Sequence, residues 1–297
     1  MRYRKLGNSE LTISEVSFGC MSLESEAIAK ELIHYAIDKG VNYFDTADLY
    51  QSGENEVMLG KSIKGIRNDL IIATKVGNQL RNDHSGWDWN PSKKYIIEAV
   101  EKSLLRLQTD YIDLYQLHGG TIDDPIDETI DAFETLKKSG KIRYYGISSI
   151  RPNVIKEYVK RSNIISVMMQ YSLLDRRPEE ECLDLLLKKN IGVLTRGTVA
   201  KGLLAGKPVK AYLEHDEAQV ASAVAILNQI SKGGKTMCQS AINYVLAHPA
   251  ITSAVLGARS KDQLKECLQY DNDQNLSVED MLVLKNGVTQ NRYTAHR

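Results

Sequence analysis

Eight short apolar runs recur along this 297-residue chain, and apolar residues at helical spacing follow each of them. The runs are Val16 to Met21, Val41 to Asp45, Leu70 to Lys75, Tyr111 to His118, Lys141 to Ser148, Ile165 to Gln170, Ile191 to Thr195 and Thr252 to Leu256. Most are nearly continuous in apolar residues, as expected of strands covered on both faces. Helical spacing marks Ala27 to Lys39, Glu54 to Ile63, Ser92 to Leu107, Asp127 to Ser139, Pro152 to Arg161, Glu179 to Lys189, Asp216 to Ile230, Met237 to Ala247 and Lys261 to Leu268. Gly40 and Gly140 stand where helices stop. A last amphipathic stretch, Val278 to Asn286, has no strand after it. Strands and helices in alternation imply an α/β protein with a parallel sheet. No GxGxxG follows the first strand, so the dinucleotide fingerprint of an open doubly wound sheet is missing. The pattern therefore predicts an eight-fold parallel β/α (TIM) barrel with an N-terminal hairpin over Arg2 to Ile13, turning at Gly7-Asn8-Ser9. With no linker or low-complexity stretch, residues 1–297 read as one domain.

Charge is balanced, with 38 basic and 38 acidic residues, which favours neither nucleic acid nor an anionic membrane as partner. Cys20, Cys182, Cys238 and Cys267 are scattered without CxxC spacing. They read as free thiols, neither a disulfide framework nor a metal site. No apolar run approaches the roughly 20 residues that span a bilayer. The basic start, Met1 to Lys5, is not followed by the apolar core of a signal peptide, so a cytoplasmic protein is expected. Nothing in the sequence fixes an oligomeric state.

The polar residues at the strand ends carry the chemistry. Asp45 closes the second run, Tyr50 follows five residues later, Lys75 closes the third run and His118 the fourth. Taken singly, each has a bland reading: a turn cap, a solvated charge, a structural donor. Together they place an acid, a phenol, an amine and an imidazole at the carboxyl ends of consecutive strands, where loops converge on a barrel mouth. The polar loop from Val76 to Pro91, with Trp87 and Trp89, is long for a βα connection and reads as a binding loop. Strand parity makes a further point. If His118 and Gln116 point inward, Asp113 faces the helical layer, and so does Arg143 if Ser148 points inward. Asp113 and Arg143 are then expected to pair between barrel and helices.

Six segments in order resemble the aldo-keto reductase family over nearly the whole chain. They are Phe44-Asp45-Thr46-Ala47 with Tyr50, Ala73-Thr74-Lys75, Asp113-Leu114-Tyr115-Gln116-Leu117-His118, Gly140-Lys141-Ile142-Arg143 with Gly146-Ile147-Ser148-Ser149, Gln170-Tyr171, and Gly257-Ala258-Arg259 with Gln263 and Glu266. The resemblance implies that Asp45, Tyr50, Lys75 and His118 act as one catalytic unit in reducing a small-molecule carbonyl, with NADPH as hydride donor (NADH less favoured) and no metal. Tyr50 would be the general acid, with Lys75 beside it to stabilise phenolate, Asp45 to hold Lys75 charged, and His118 to orient the carbonyl oxygen. It further implies nicotinamide contacts from Ser148, Ser149 and Gln170, and cofactor neighbours Gly19, Cys20 and Met21. A pyrophosphate-wrapping segment would comprise Arg196, Gly197, Thr198, Val199 and Lys201 with Lys207. The adenosine side would be formed by Gly257, Arg259, Gln263 and Glu266, with Arg259 facing a 2′-phosphate.

There are departures from the family pattern. Arg196 stands where an aromatic residue usually stacks on nicotinamide, and Cys267 where an Asn commonly contacts adenine. Gln263 stands where some members carry Arg, and Gly119-Gly120 leave the substrate wall open. Two other readings stay in play: a non-enzymatic cofactor-sensing protein on the same fold, resembling potassium-channel β subunits, and a Schiff-base aldolase using Lys75.

Overall fold

A computed structural model describes residues 1–81, 83, 85–231, 235–269 and 276–297. Eight parallel strands close into a barrel whose order around the ring follows the chain. They are Val16–Gly19, Tyr43–Asp45, Ile71–Val76, Ile112–Leu117, Ile142–Ser148, Ser166–Gln170, Gly192–Arg196 and Ile251–Leu256. Before them, Tyr3–Lys5 pairs antiparallel with Thr12–Ser14, which is the expected hairpin.

The barrel interior is layered. Apolar Tyr43, Ala73, Leu114, Met168, Leu194 and Val255 pack with Leu6, Leu11 and Ile13 of the hairpin, which plugs the amino-terminal end of the barrel. Gly7, at the hairpin turn with φ of 56°, lies so close to the barrel floor that a Cβ there would sit 2.4 Å from the Ile165 carbonyl oxygen. Two residues further along the strands the side chains point inward again, and there they are Asp45, Lys75, Gln116, Gln170 and Arg196. Register aligns them: Lys75 is level with Gln116, and Gln170 with Arg196. The same inward face is thus apolar at the plugged end and polar at the mouth.

Helices cover the outside, and most fall where helical spacing placed them. Ser25, Ser92, Asp216 and Thr236 each cap a helix by accepting a backbone N–H with the side chain. Two elements differ from the sequence expectation. The helix expected from Glu179 begins at Cys182, because Glu181 takes φ of −159° and divides it from a short 3₁₀ turn over Arg177–Glu180. The Val76 to Pro91 loop contains a small antiparallel ladder, Asn78–Leu80 against Trp87–Trp89. Residues 82 and 84 of that loop lie outside the described residues.

Asp113 is fully buried on the outer face of its strand. It accepts hydrogen bonds from Arg143 Nη1 at 2.7 Å, Arg67 Nη2 at 2.7 Å and the Ile72 amide at 3.0 Å. The Asp113–Arg143 pairing follows from strand parity. Arg67 lies in a 3₁₀ turn distant in sequence and offered no signal. Removing the carboxylate leaves the buried Ile72 amide without its acceptor, while Arg67 keeps the Thr109, Leu70 and Tyr111 oxygens and Arg143 is half exposed. A change of this class costs about 1–3 kcal/mol. We expect Asp113→Ala to lower unfolding free energy by that amount in a urea titration.

Candidate active site

Lys75 is the centre of the site, 1 % exposed although it carries an ammonium. Its Nζ is ion-paired with Asp45 Oδ1, donates to the Thr46 carbonyl at 2.7 Å, and lies 3.4 Å from Tyr50 Oη. Burial works to discharge such an amine, but the Asp45 carboxylate and the Tyr50 oxygen outweigh it and hold Lys75 above the ordinary lysine range. The second Asp45 oxygen accepts from Gln116 Nε2 at 3.2 Å, so the carboxylate is fixed by two neighbouring strands.

Tyr50 reaches Lys75 from the turn that leaves the second strand. Gln51 and Ser52 follow it in left-handed conformation, with φ of 50° and 55°, a costly state for residues with a Cβ. The Gln51 side chain anchors this turn by donating to the Leu23 carbonyl at 2.7 Å, and Asn55 ties it to the Cys20 carbonyl at 2.8 Å. The His118 ring meets Tyr50 edge-on, with centroids 5.8 Å apart. Burial, then the nearby Lys75 and Arg196 charges, push the His118 imidazole down to about 3. It is therefore neutral around pH 7, and its Nδ1 is buried without a hydrogen-bond partner among the described residues.

These groups open onto a cavity of about 820 Å³ at the carboxyl end of the barrel. Of the sequence candidates, Asp45, Tyr50, His118, Gly19, Met21, Ser148, Ser149, Gln170, Arg196, Gly197, Thr198, Val199, Lys201 and Gly257 line it. Lys75 sits one layer behind. Cys20, Lys207, Arg259, Gln263 and Glu266 do not line it: the Cys20 side chain is buried in the core, and the Lys207 side chain lies over Gly202. Gln263 accepts from the Arg259 amide at 2.9 Å while Ser260 caps the Lys261–Leu268 helix. That helix start is thus occupied by its own side chains. The Arg259 side chain stays exposed and extends toward Glu24, 4.0 Å away.

Several contacts that hold the site left no mark in the sequence. Gln170 does not present a free amide: it donates to Asp175 at 2.9 Å and Tyr212 at 3.2 Å, and accepts from Arg196 at 2.8 Å. Gln116, Asp175 and Tyr212 thus hold the site although only strand parity hinted at the first. Trp89, anchored by its Nε1 to Asp124 at 2.9 Å, closes the side beside Gly77 and Gly119. A Cβ on Gly77 would meet that indole at 2.6 Å.

Comparison with known proteins places this geometry. The aldo/keto reductase family model matches residues 15–286. The chain is 52 % identical to the Uncharacterized oxidoreductase YqkF of Bacillus subtilis (strain 168), with both chains covered in full. It is also similar to the solved structures of aldo-keto reductase AKR11C1 from Bacillus halodurans. The holo form matches at a TM-score of 0.95 and 50 % identity, the apo form at 0.85 and 46 %, each over 100 % of this chain and 99 % of that one. The chain belongs to the aldo/keto reductase family. It is an NAD(P)H-dependent oxidoreductase of small-molecule carbonyl compounds. Among the described residues no group of acidic, His or Cys side chains is arranged to hold a metal ion, and no helix is long and apolar enough to cross a membrane.

The neutral His118 has a consequence for acid stability. Its folded pKa of about 3 lies below the unfolded value near 6.5, so between these pH values the unfolded chain binds more protons. The His118 contribution is complete above about pH 6.5 and is lost as pH falls toward 3. In urea titrations at stepped pH, we expect His118→Asn to show a shallower acid-side loss than the unmutated protein.

Proposed function

We propose that this protein reduces aldehyde or ketone carbonyls to alcohols using NADPH, with Tyr50 as proton donor. The observation that carries the reading is the single contact set of Lys75 Nζ, which meets Asp45 and Tyr50 at once. The cavity fits a nicotinamide dinucleotide by its donor set. Ser148, Ser149, Gln170 and Arg196 line the inner wall, and Lys201 adds a cation to the lining that could meet a phosphate. Gly197, with φ of 73° and a would-be Cβ 3.1 Å from Gln170, keeps the backbone near that wall.

When bound, the reduced nicotinamide supplies hydride to the carbonyl carbon. Tyr50 gives its proton to the carbonyl oxygen, and the Lys75 ammonium stabilises the phenolate that remains. Asp45, steadied by Gln116, keeps Lys75 charged through each cycle. His118 carries one ring N–H in its neutral form and uses it to orient the oxygen. A Schiff-base aldolase would need an uncharged lysine, and Lys75 is held in the opposite state. Gln170, already engaged by Asp175, Tyr212 and Arg196, has to exchange one of these bonds to meet a carboxamide. Arg196 is the cation of the inner wall and takes the place of a stacking ring.

Preference for NADPH rests on Arg259. Its side chain is 71 % exposed and held only loosely toward Glu24, so it can turn to a 2′-phosphate, a group that calls for charge-assisted donors. No acidic residue lies between Gly257 and Lys261 to take ribose hydroxyls.

Three measurements test the proposal. Tyr50→Phe should bind NADPH within a few-fold of the unmutated protein and lose about 10²–10⁴-fold in carbonyl reduction; near-normal turnover would end the mechanism. Lys75→Met should be comparably impaired, and its pH profile should lack the basic limb of the unmutated enzyme. Arg259→Ala should weaken NADPH by about 1.5 kcal/mol, the lower end for a hydrogen bond to a charged group, and spare NADH. Equal loss for both cofactors would show that Arg259 does not read the phosphate.

A further inference from the structure

Two of the four cysteines, 29 residues apart in sequence, meet in the fold. Cys238 lies in the first turn of the Met237–Leu246 helix and Cys267 in the last turn of the Lys261–Leu268 helix. Their Sγ atoms are 3.5 Å apart, and both thiols are free. The two helix ends are also clasped by Gln239, whose Nε2 donates to the Gln269 carbonyl at 2.9 Å. A capping box between Thr236 and Gln239 fixes the turn that carries Cys238. The sequence, with no CxxC spacing, offered no reason to pair these residues.

Contact at this distance needs only a further approach of about 1.5 Å to reach disulfide bonding distance. We propose that Cys238 and Cys267 are a dithiol that a hydroperoxide converts to an intramolecular disulfide, reversibly, at the far end of the helix that follows the cavity wall. The chemistry balances in two steps. Cys267 is the less buried residue, 8 % exposed against 1 % for Cys238, and its sulfur attacks a peroxide oxygen. The O–O bond breaks, Cys267 becomes a sulfenic acid, and one molecule of water or alcohol leaves. The Cys238 sulfur then attacks the Cys267 sulfur, the S–O bond breaks and a water leaves. Two thiols have lost two electrons and two protons, and one peroxide has gained them. A small dithiol reductant restores both thiols by exchange. The contact with Cys267, together with burial, pushes the Cys238 thiol up, which argues against Cys238 as the first nucleophile because the thiolate is the attacking form.

The link bears on the cavity through the chain itself. Gly257 lines the cavity, and the Lys261–Leu268 helix starts four residues later. Drawing its last turn toward the Met237–Leu246 helix tilts the segment that carries Arg259. Resting on the dinucleotide reading above, the disulfide form should bind NADPH several-fold more weakly than the dithiol form.

The test uses the full chain. Hydrogen peroxide is titrated in, remaining thiols are blocked with N-ethylmaleimide, and intact mass and unreduced peptide maps are recorded. The expected result is loss of two alkylatable thiols, a peptide joining Cys238 to Cys267, and full reversal by dithiothreitol. Cys238→Ser and Cys267→Ser should each abolish the linked peptide, whereas a Cys20→Ser, Cys182→Ser double variant should retain it. Four blocked thiols after peroxide, or sulfinic acid at Cys267 without the linked peptide, would overturn the proposal. NADPH affinity is then measured by fluorescence on the reduced and oxidised forms. Equal affinities would overturn the coupling to the cavity. Failure of both forms to bind NADPH would sink the dinucleotide reading instead, with the crosslink still readable by mass.

Discussion

The buried ammonium of Lys75 is the constraint on which the rest of the structure depends. An isolated charge in the interior costs several kcal/mol, and it persists only with a partner and further hydrogen bonds. Asp45, the Thr46 carbonyl and Tyr50 supply these from the neighbouring strand and its loop. That arrangement exists only in one register, with Asp45 level with Ala73 and Lys75 level with Gln116. A slip by one residue would turn Lys75 into the helical layer, away from Asp45, Thr46 and Tyr50. The geometry of the site and the barrel register are therefore enforced by the same ion pair.

Asp113 plays the complementary part outside the barrel. It lies on the opposite face of the strand that carries Gln116 and gathers Arg67 and Arg143 with the Ile72 amide. The strand is held by buried polar groups on both faces, one set serving the cavity and the other the helical layer. The hairpin residues Leu6, Leu11 and Ile13 close the opposite end of the barrel with apolar side chains.

The far wall is built differently, by a chain of contacts that runs to the carboxyl terminus. Asn291 accepts from the Arg176 amide at 2.8 Å and donates to Glu214 at 3.0 Å, while Arg177 grips Asp175 at 2.8 Å. Asp175 in turn holds Gln170. The last residues do not line the cavity, yet they fix a side chain that does. Arg196 joins the same set, and its charge adds to burial and to the Lys75 ammonium in keeping His118 neutral.

Much of this was legible in the sequence, and for a physical reason. Continuous apolar runs and helical spacing report local burial, so eight strands and their helices could be read from the hydrophobic pattern, and the N-terminal hairpin from its turn at Gly7-Asn8-Ser9. Parity carried that reading as far as the pairing of Asp113 with Arg143, and strand ends brought Asp45, Tyr50, Lys75 and His118 to one side. What spacing does not encode is which distant elements touch. The anchoring of Trp89 by Asp124 and the engagement of Gln170 by Tyr212 depend on loops meeting across the barrel mouth. The contact of Cys238 with Cys267 depends on two helices packing against each other. Local pattern determines which face of each element is buried; only closure of the barrel decides which buried faces meet, because that choice is made by packing between residues far apart in the chain.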